Sequence, residues 1–336
     1  MKIKTYLGIE IGNLNIKFAV CTEDKIKQFV TERLPDNLIR EGQIVSWDFM
    51  AEFIKKKLRE HRISCKDVAL VIPEGMTYVR RFSMPYMTIE QVKINLPYEF
   101  RDFITEEKDT YLYDYAVMNI LEEEHNGVIQ KSMDIMAVAI LKESIEKYRG
   151  MLKQCGLRLR VAAPESCAYQ NIIRKHINMQ SKKQVSDYAV LDIGYDTVDL
   201  RIFKEGKYEA GREIETGLKA VTYAIANVFN VDEHIAEIYK SNNQNNVLYS
   251  EECMAVYNNI ELEVRRVINF FTYNYPNNTL DTLYICGGGA KIEPLMDLLK
   301  SSIELQVKGL DELFEGSAGN KDALILGPTA VGITWN

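Results

Sequence analysis

The sequence predicts an α/β protein built from two duplicated α/β domains with inserted subdomains, and three observations carry that reading. The chain has 336 residues, more than the roughly 100 to 200 of an ordinary single domain. Its first segment, Tyr6 to Val20, holds two runs of β-forming residues around a Gly12-Asn13 turn, the pattern of a hairpin. A second segment, Tyr188 to Phe203, repeats it: a strand, an acid two residues before a glycine, a polar turn and a returning strand. The separation far exceeds the roughly 20 to 50 residues of stacked repeats, so what is duplicated is a domain core.

Between the hairpins, Trp47 to His61 carries an apolar stripe at Phe49, Phe53, Ile54 and Leu58, which predicts a helix. Val68 to Ile72 follows as a short buried strand ending at Pro73. From Tyr78 the pattern changes. Thr88-Ile-Glu-Gln91 fits a capping box, and Met133 to Leu141 is a β-like apolar run leading into a further helix. We read 78–157 as an inserted subdomain, with 1–77 and 158–180 as the first domain and Gln180 to Gln184 as the hinge. The second domain covers 185–336, with an insertion over about 205–279. Leu218, Val221, Ile225, Val228 and Phe229 line one helix face, Asp232 caps the next helix, and Glu251 to Tyr273 is a long helical stretch. Leu280 to Ile285 is a strand running into Gly287-Gly288-Gly289, Glu312 to Lys321 is a solvated loop, and Ala330 to Trp335 reads as a closing core helix.

Composition excludes several function classes. Hydrophobic residues make up 46% and charged residues 26%, the mix of a globular protein. A net charge of -7 disfavours a general nucleic-acid role, which needs a surplus of Lys and Arg. The six cysteines are scattered without a CxxC pair and read as reduced thiols of a cytoplasmic chain. No apolar signal segment precedes Glu10, and no apolar stretch approaches the 18 or so residues of a membrane span, so direct membrane insertion is not expected. The four histidines lack metal-site spacing, and no GxSxG, Walker A or Rossmann pattern occurs.

Three glycine-bearing strand ends carry the chemistry. In Glu10-Ile-Gly12-Asn13-Leu14-Asn15-Ile-Lys17, a tight turn lets backbone N–H groups approach phosphate oxygens, and Lys17 adds a point charge. In Asp192-Ile-Gly194-Tyr195-Asp196-Thr197, a second turn would grip the phosphates from the other side. Glu10 and Asp192 would hold Mg²⁺ through its waters, because Mg²⁺ keeps several waters and takes few protein ligands. In the third, Gly287, Gly288, Gly289 and Lys291 form a strand-to-helix turn where missing side chains let a purine or ribose lie against backbone.

In this order the three segments resemble the two phosphate motifs and the adenosine motif of the actin, Hsp70 and sugar-kinase superfamily. Within it the chain is similar to the PilM family of type IV pilus assembly. That similarity is carried by Leu7 to Gly12 with Ile16-Lys17, Met84-Pro85 before a helix, Leu96-Pro-Tyr-Glu99, Tyr113-Asp-Tyr115, and Arg212 with Gly217 before Val231 to Lys240. The resemblance implies an actin-like ATPase fold with an FtsA-like inserted subdomain, and ATP with Mg²⁺ as ligands. It also implies a partner, the N-terminal cytoplasmic tail of a membrane-anchored PilN-like pilus protein, bound between the first domain and the inserted subdomain. The segment Arg80 to Phe103 is the first place to mutate. A cytoplasmic scaffold held at the inner membrane through partners, with a weak ATPase at most and with self-association open, follows. An FtsA-like filament protein, a secretion-system protein and a small-molecule kinase are the alternatives. The resemblance places Glu237 and Lys240 against the adenosine, whereas their spacing alone equally suits an exposed i, i+3 ion pair. Two departures from the pattern stand out: Glu10 where Asp is usual, and Thr216 where a glycine is common.

Overall fold

The first hairpin forms where the sequence places it. The computed structural model describes residues 4–23, 25–40, 42–125, 128–180, 186–314 and 320–335. Strands β1 (Thr5–Ile11) and β2 (Asn15–Thr22) pair antiparallel, with Glu10 opposite Lys17, and β3 (Ile26–Arg33) continues the meander. A small hairpin of β4 (Ile39–Arg40) and β5 (Gln43–Ile44) leads to helix α1 (Trp47–Glu60), capped by the Ser46 hydroxyl, and then to β6 (Asp67–Ile72), parallel to β1.

The chain then builds a separate three-stranded sheet. Its members are β7 (Thr77–Pro85), β8 (Tyr111–His125) and β9 (Val128–Leu141), in the order β7-β9-β8. Helix α2 (Ile89–Glu99) opens with the capping box at Thr88 and Gln91 and buries Val92 and Leu96 against Met84, Phe100, Met133 and Ile135. Helix α3 (Lys142–Gln154) does not belong to this body. Its stripe Ile145, Tyr148, Met151 and Leu152 packs with Met50, Ile54 and Leu58 of α1. Strand β10 (Arg158–Pro164) then joins β6 in parallel and completes a five-stranded sheet, β10-β6-β1-β2-β3.

After α4 (Glu165–Met179), the second half repeats the order. Strands β11 (Tyr188–Ile193), β12 (Val198–Lys204) and β13 (Lys207–Ile214) form the meander. Helices α5 (Leu218–Phe229), α6 (Glu233–Ser241) and α7 (Glu251–Asn274) follow, with Asp232 capping α6. Strand β14 (Thr282–Cys286), helix α8 (Glu293–Ser302) and strand β15 (Gln306–Gly309) complete the sheet β13-β12-β11-β14-β15. Strand β13 is the edge of this sheet, and the helices of this half begin after Ile214.

Two short helices, α9 (Lys321–Leu326) and α10 (Pro328–Gly332), end the described chain. Helix α10 is shorter than the sequence suggests, but residues 328–335 are all buried. With α4 it fills the space between the sheets, where Tyr169, Ile172, Val190, Phe203, Val331 and Trp335 share one core. A Cβ on Gly8 would sit 1.8 Å from the Ala330 carbonyl oxygen, so a glycine there lets the last helix lie on β1. The hinge at 181–184 and the Gly316 to Gly319 portion of the solvated loop lie outside the described residues. Of the cysteines, Cys21, Cys253 and Cys286 are buried, while Cys65, Cys155 and Cys167 are partly exposed; all are free.

Candidate functional site

Duplication brings two like turns face to face. In the first, the Gly12 N–H donates to the Asn15 carbonyl at 2.9 Å; in the second, Gly194 N–H donates to the Thr197 carbonyl at 2.9 Å. The Asn13 side-chain amide donates to the Asp196 carboxylate and joins the two tips. Beneath them lies a cavity of about 580 Å³, lined from the first half by Glu10, Gly12 to Asn15 and Lys17, and from the second by Asp192, Gly194 to Thr197, Glu237, Lys240, Gly287, Gly288 and Lys291. Every residue that the sequence assigns to the nucleotide or its metal ion therefore lines this one cavity except Gly289. That glycine is buried under Ile193, whose Cγ2 would lie 2.1 Å from a Cβ there.

The base of the cavity is an acidic cluster with internal cations. Glu10 accepts from the Lys17 ammonium through one carboxylate oxygen and from the Thr329 hydroxyl through the other. Burial alone would lower the Lys17 ammonium, but Glu10, together with Asp192 and Glu165, more than offsets it and the group is raised. Asp192 accepts from the Tyr169 hydroxyl at 2.6 Å. Gly287, with φ +82°, passes so close that a Cβ would stand 2.3 Å from Asp192 Oδ1. Only glycine combines that left-handed backbone with that approach.

A further carboxylate of the lining, outside the glycine turns, belongs to Glu165. It is the first residue of α4, and its Oε2 accepts from Arg201 Nη2 at 2.7 Å. Burial pushes its carboxyl up to about 8, against the pull of Arg201 and with the added repulsion of Asp199, Asp192 and Glu10. Burial likewise raises Asp199 to about 6, although Arg201 stands 3.7 Å away. Arg201 retains only 3% exposure, and its Nη1 has no hydrogen-bond partner among the described residues.

On α6, Glu237 and Lys240 form the i, i+3 ion pair that their spacing suggests, at 2.8 Å. It is not an exposed pair. Both residues are 9% exposed; Lys240 donates to the Thr222 hydroxyl at 2.7 Å, and that hydroxyl donates to Glu237 at 2.8 Å. Burial pulls the Lys240 ammonium down despite Glu237, and its Nζ lies 5.4 Å over the Tyr195 ring. Thr216 is not a lining residue; its hydroxyl accepts from Asn259 at 3.2 Å. The glycine requirement falls instead on Gly217, where a Cβ would meet the Tyr195 carbonyl oxygen at 2.5 Å.

One wall escaped the sequence reading. Leu248, Tyr249, Ile292 and Pro294 give the cavity an apolar side. The first two are carried by a kinked turn in which Asn243, Asn245 and Asn246 have φ of 46°, 53° and 57°. The run Asn242-Asn243-Gln244-Asn245-Asn246 was its signal, since Asn tolerates left-handed backbone better than other side chains.

This arrangement fits a polyanion only together with a cation. The lining carries the carboxylates of Glu10, Glu165, Asp192, Asp196, Asp199, Glu237 and Glu293 against the ammonium groups of Lys17, Lys240 and Lys291. Phosphates would be repelled unless a divalent ion came with them. Among the described residues no group of three or more His, Cys, Asp or Glu is arranged to hold a metal directly.

A sequence model of the type IV pilus assembly protein PilM matches residues 8–322. No curated protein sequence matches the chain. Among solved structures, a PilM-PilN type IV pilus biogenesis complex is similar at 20% identity, covering 98% of this chain and 97% of that one, with a TM-score of 0.81. The ethanolamine utilization protein EutJ from Carboxydothermus hydrogenoformans is 13% identical over 99% of this chain and 91% of its own, with a TM-score of 0.61. MreB 5 of Spiroplasma citri, bound to AMPPNP, is 11% identical over 98% and 96%, with a TM-score of 0.53. At these identities the likeness is one of fold, and the fold is the α/β actin-like ATPase fold.

Proposed function

The chain belongs to the PilM family of type IV pilus assembly proteins, and we propose that it is an ATP-binding scaffold of that assembly, closing around Mg-ATP and binding the N-terminal cytoplasmic tail of a membrane-anchored, PilN-like protein. The observation that carries the nucleotide half is the meeting of two like glycine turns over one acid-lined cavity. On this reading the turns 12–15 and 194–197 cradle the phosphates, with Lys17 nearby. Glu10 and Asp192 face the hydrated Mg²⁺, whose charge offsets the phosphates, and the purine lies between Gly288 and the Leu248, Tyr249 and Ile292 wall. Glu237 and Lys240 flank the ribose. Slow or absent hydrolysis is part of the proposal.

The partner half rests on family membership and on the PilM-PilN complex as a structural relative. It is supported by the exposed apolar side chains Tyr86, Ile89, Ile94, Tyr98 and Phe103 on the inserted body, which a tail peptide would cover. No helix among the described residues is long and apolar enough to cross a membrane. A cytoplasmic protein held at the inner membrane through its partner is therefore part of the proposal. So is the division into a first domain (to 76 and 142–180), an inserted body (77–141) and a second domain (from 186).

The test is thermal unfolding with and without Mg-ATP, run alongside phosphate release and titration of a PilN-type tail peptide. A ligand at about one hundred times its Kd stabilises by about 2.7 kcal/mol. Stabilisation with negligible turnover and tighter peptide binding supports the proposal; no nucleotide effect on either unfolding or peptide binding overturns the nucleotide half.

A further inference from the structure

One end of the first domain is basic in a chain whose net charge is -7. Strands β1, β6 and β10 run parallel, and Glu10 and Glu165 stand at their cleft-side ends. The opposite end collects the strand starts. With seven residues in β1, it lies about 20 Å from the cleft at about 3.3 Å per residue. Lys27 rises there at the start of β3, next to the turn after α1, as the Gln28 amide donating to the His61 carbonyl at 2.8 Å shows. In and after the last turns of α1, Lys55, Arg59, Arg62 and Lys66 surround a single depression that no carboxylate lines. All five are exposed, and among the described residues none forms an ion pair.

The acids at this end do not cancel them. Glu60 is taken by Lys56 and Lys57, and Asp67 by Arg158 and Arg160 at 3.0 and 2.7 Å; Glu23, and Glu52 one turn before Lys55 on α1, stand without an ion pair among the described residues. The equivalent end of the second sheet is mixed, with Asp187, Glu205 and Asp281 beside Lys204 and Lys207. The duplicated fold therefore does not require a cationic end. Holding four or five unmatched cations together raises the energy of the free protein, and an anionic surface relieves it.

We propose that this end of the first domain docks electrostatically on an anionic phospholipid surface. The cations come from separate turns and spread over a broad end, with no exposed aromatic side chain among them to stack nucleic-acid bases. Clusters of this size are what anionic headgroups attract. The choice of a bilayer over another polyanion rests on the reading above, in which the partner is membrane-anchored. Docking would then fix the domain's orientation, with the cleft facing away from the lipid.

The experiment is flotation of the full chain with vesicles of equal parts phosphatidylglycerol and phosphatidylcholine, and with phosphatidylcholine alone, from about 0.01 M to about 1 M salt, over which the Debye length shrinks from about 30 to about 3 Å. Binding to the anionic vesicles alone, lost at high salt and weakened about tenfold or more in the variant Lys27→Glu, Arg59→Glu, Arg62→Glu, Lys66→Glu, is expected. A milder set with Gln at the same positions guards against misfolding and should give an intermediate loss. Equal retention on neutral vesicles, unchanged binding by a folded charge-reversal variant, or absence of binding at low salt would overturn the inference. So would capture of double-stranded DNA as strong as that of anionic vesicles. The vesicles carry no protein, so a chain that floats but ignores the tail peptide would sink the partner reading and leave this one standing.

Discussion

Asn13 donates its side-chain amide to the carboxylate of Asp196, a hydrogen bond between residues 183 apart in sequence that joins the tips of the two duplicated turns. Lys219, at 4.0 Å from Asp196, helps hold the acceptor. A hydrogen bond to a carboxylate is stronger than a neutral one, and exposure to water weakens it, which leaves a contact able to bias a two-state opening without locking it. Asn13→Asp replaces attraction with repulsion between two carboxylates. We expect the nucleotide-free variant to have a larger radius of gyration by small-angle scattering and faster limited proteolysis than the parent chain, with Mg-ATP reversing both. An unchanged radius would mean that closure does not depend on the turn tips.

The three consecutive glycines should behave differently from one another. Gly287→Ala forces a Cβ into a backbone at φ +82° and within 2.3 Å of Asp192 Oδ1, so it should lose about 2 kcal/mol or more of stability without any ligand. Gly288 faces the cavity, and a Cβ there meets only Leu218 Cδ1 at 3.3 Å. Gly288→Leu should therefore melt close to the parent chain but lose the stabilisation by Mg-ATP. Thermal unfolding of both, with and without nucleotide, separates a backbone role from a binding role. If Gly288→Leu retained the full nucleotide effect, the third motif would not contact the ligand.

Much of this was legible because the informative signals are local. The duplicated hairpins, the glycine run, the Thr88 capping box and the stripe on α1 all declare themselves within a few residues, and those residues do converge. What stayed hidden depends on tertiary packing. Glu165 looks like an ordinary first-turn acid, and only its burial beside Arg201 reveals it. The stripe of α3 says that one face is buried but not that it packs on α1. The same limit applied to Glu237 and Lys240, since i, i+3 spacing carries no information about exposure.

The Glu165 carboxyl gives a signed pH dependence. Its ordinary value is 4.5, and in the fold it is raised to about 8. The folded chain therefore holds a proton that the unfolded chain releases. For a raised acid, stability is fully present below about pH 4.5 and is lost as pH climbs toward 8. Asp199, raised from 3.8 to about 6, adds the same trend lower in the range. We expect the stability of the parent chain to carry a falling component between about pH 5 and 8, and Glu165→Gln, which stays neutral, to flatten it. Urea midpoints across that range check this; an equal slope in the variant would show that Glu165 keeps an ordinary carboxyl.

Glu237 and Lys240 allow the two readings of α6 to be separated. Each is 9% exposed, and Thr222 bridges them. Removing one partner of such a pair leaves a buried charge unmatched, at a cost of about 3 to 5 kcal/mol, while replacing both with apolar residues of similar volume is often neutral. Lys240→Met alone should therefore lower the urea midpoint markedly, and the double variant Glu237→Met, Lys240→Met should recover most of it. If the pair only supports the fold, the recovered double variant should gain as much from Mg-ATP as the parent chain does. If the pair also holds the ribose, folding should return without nucleotide stabilisation, and that second outcome is the one expected from the way both side chains line the cavity beside Tyr195.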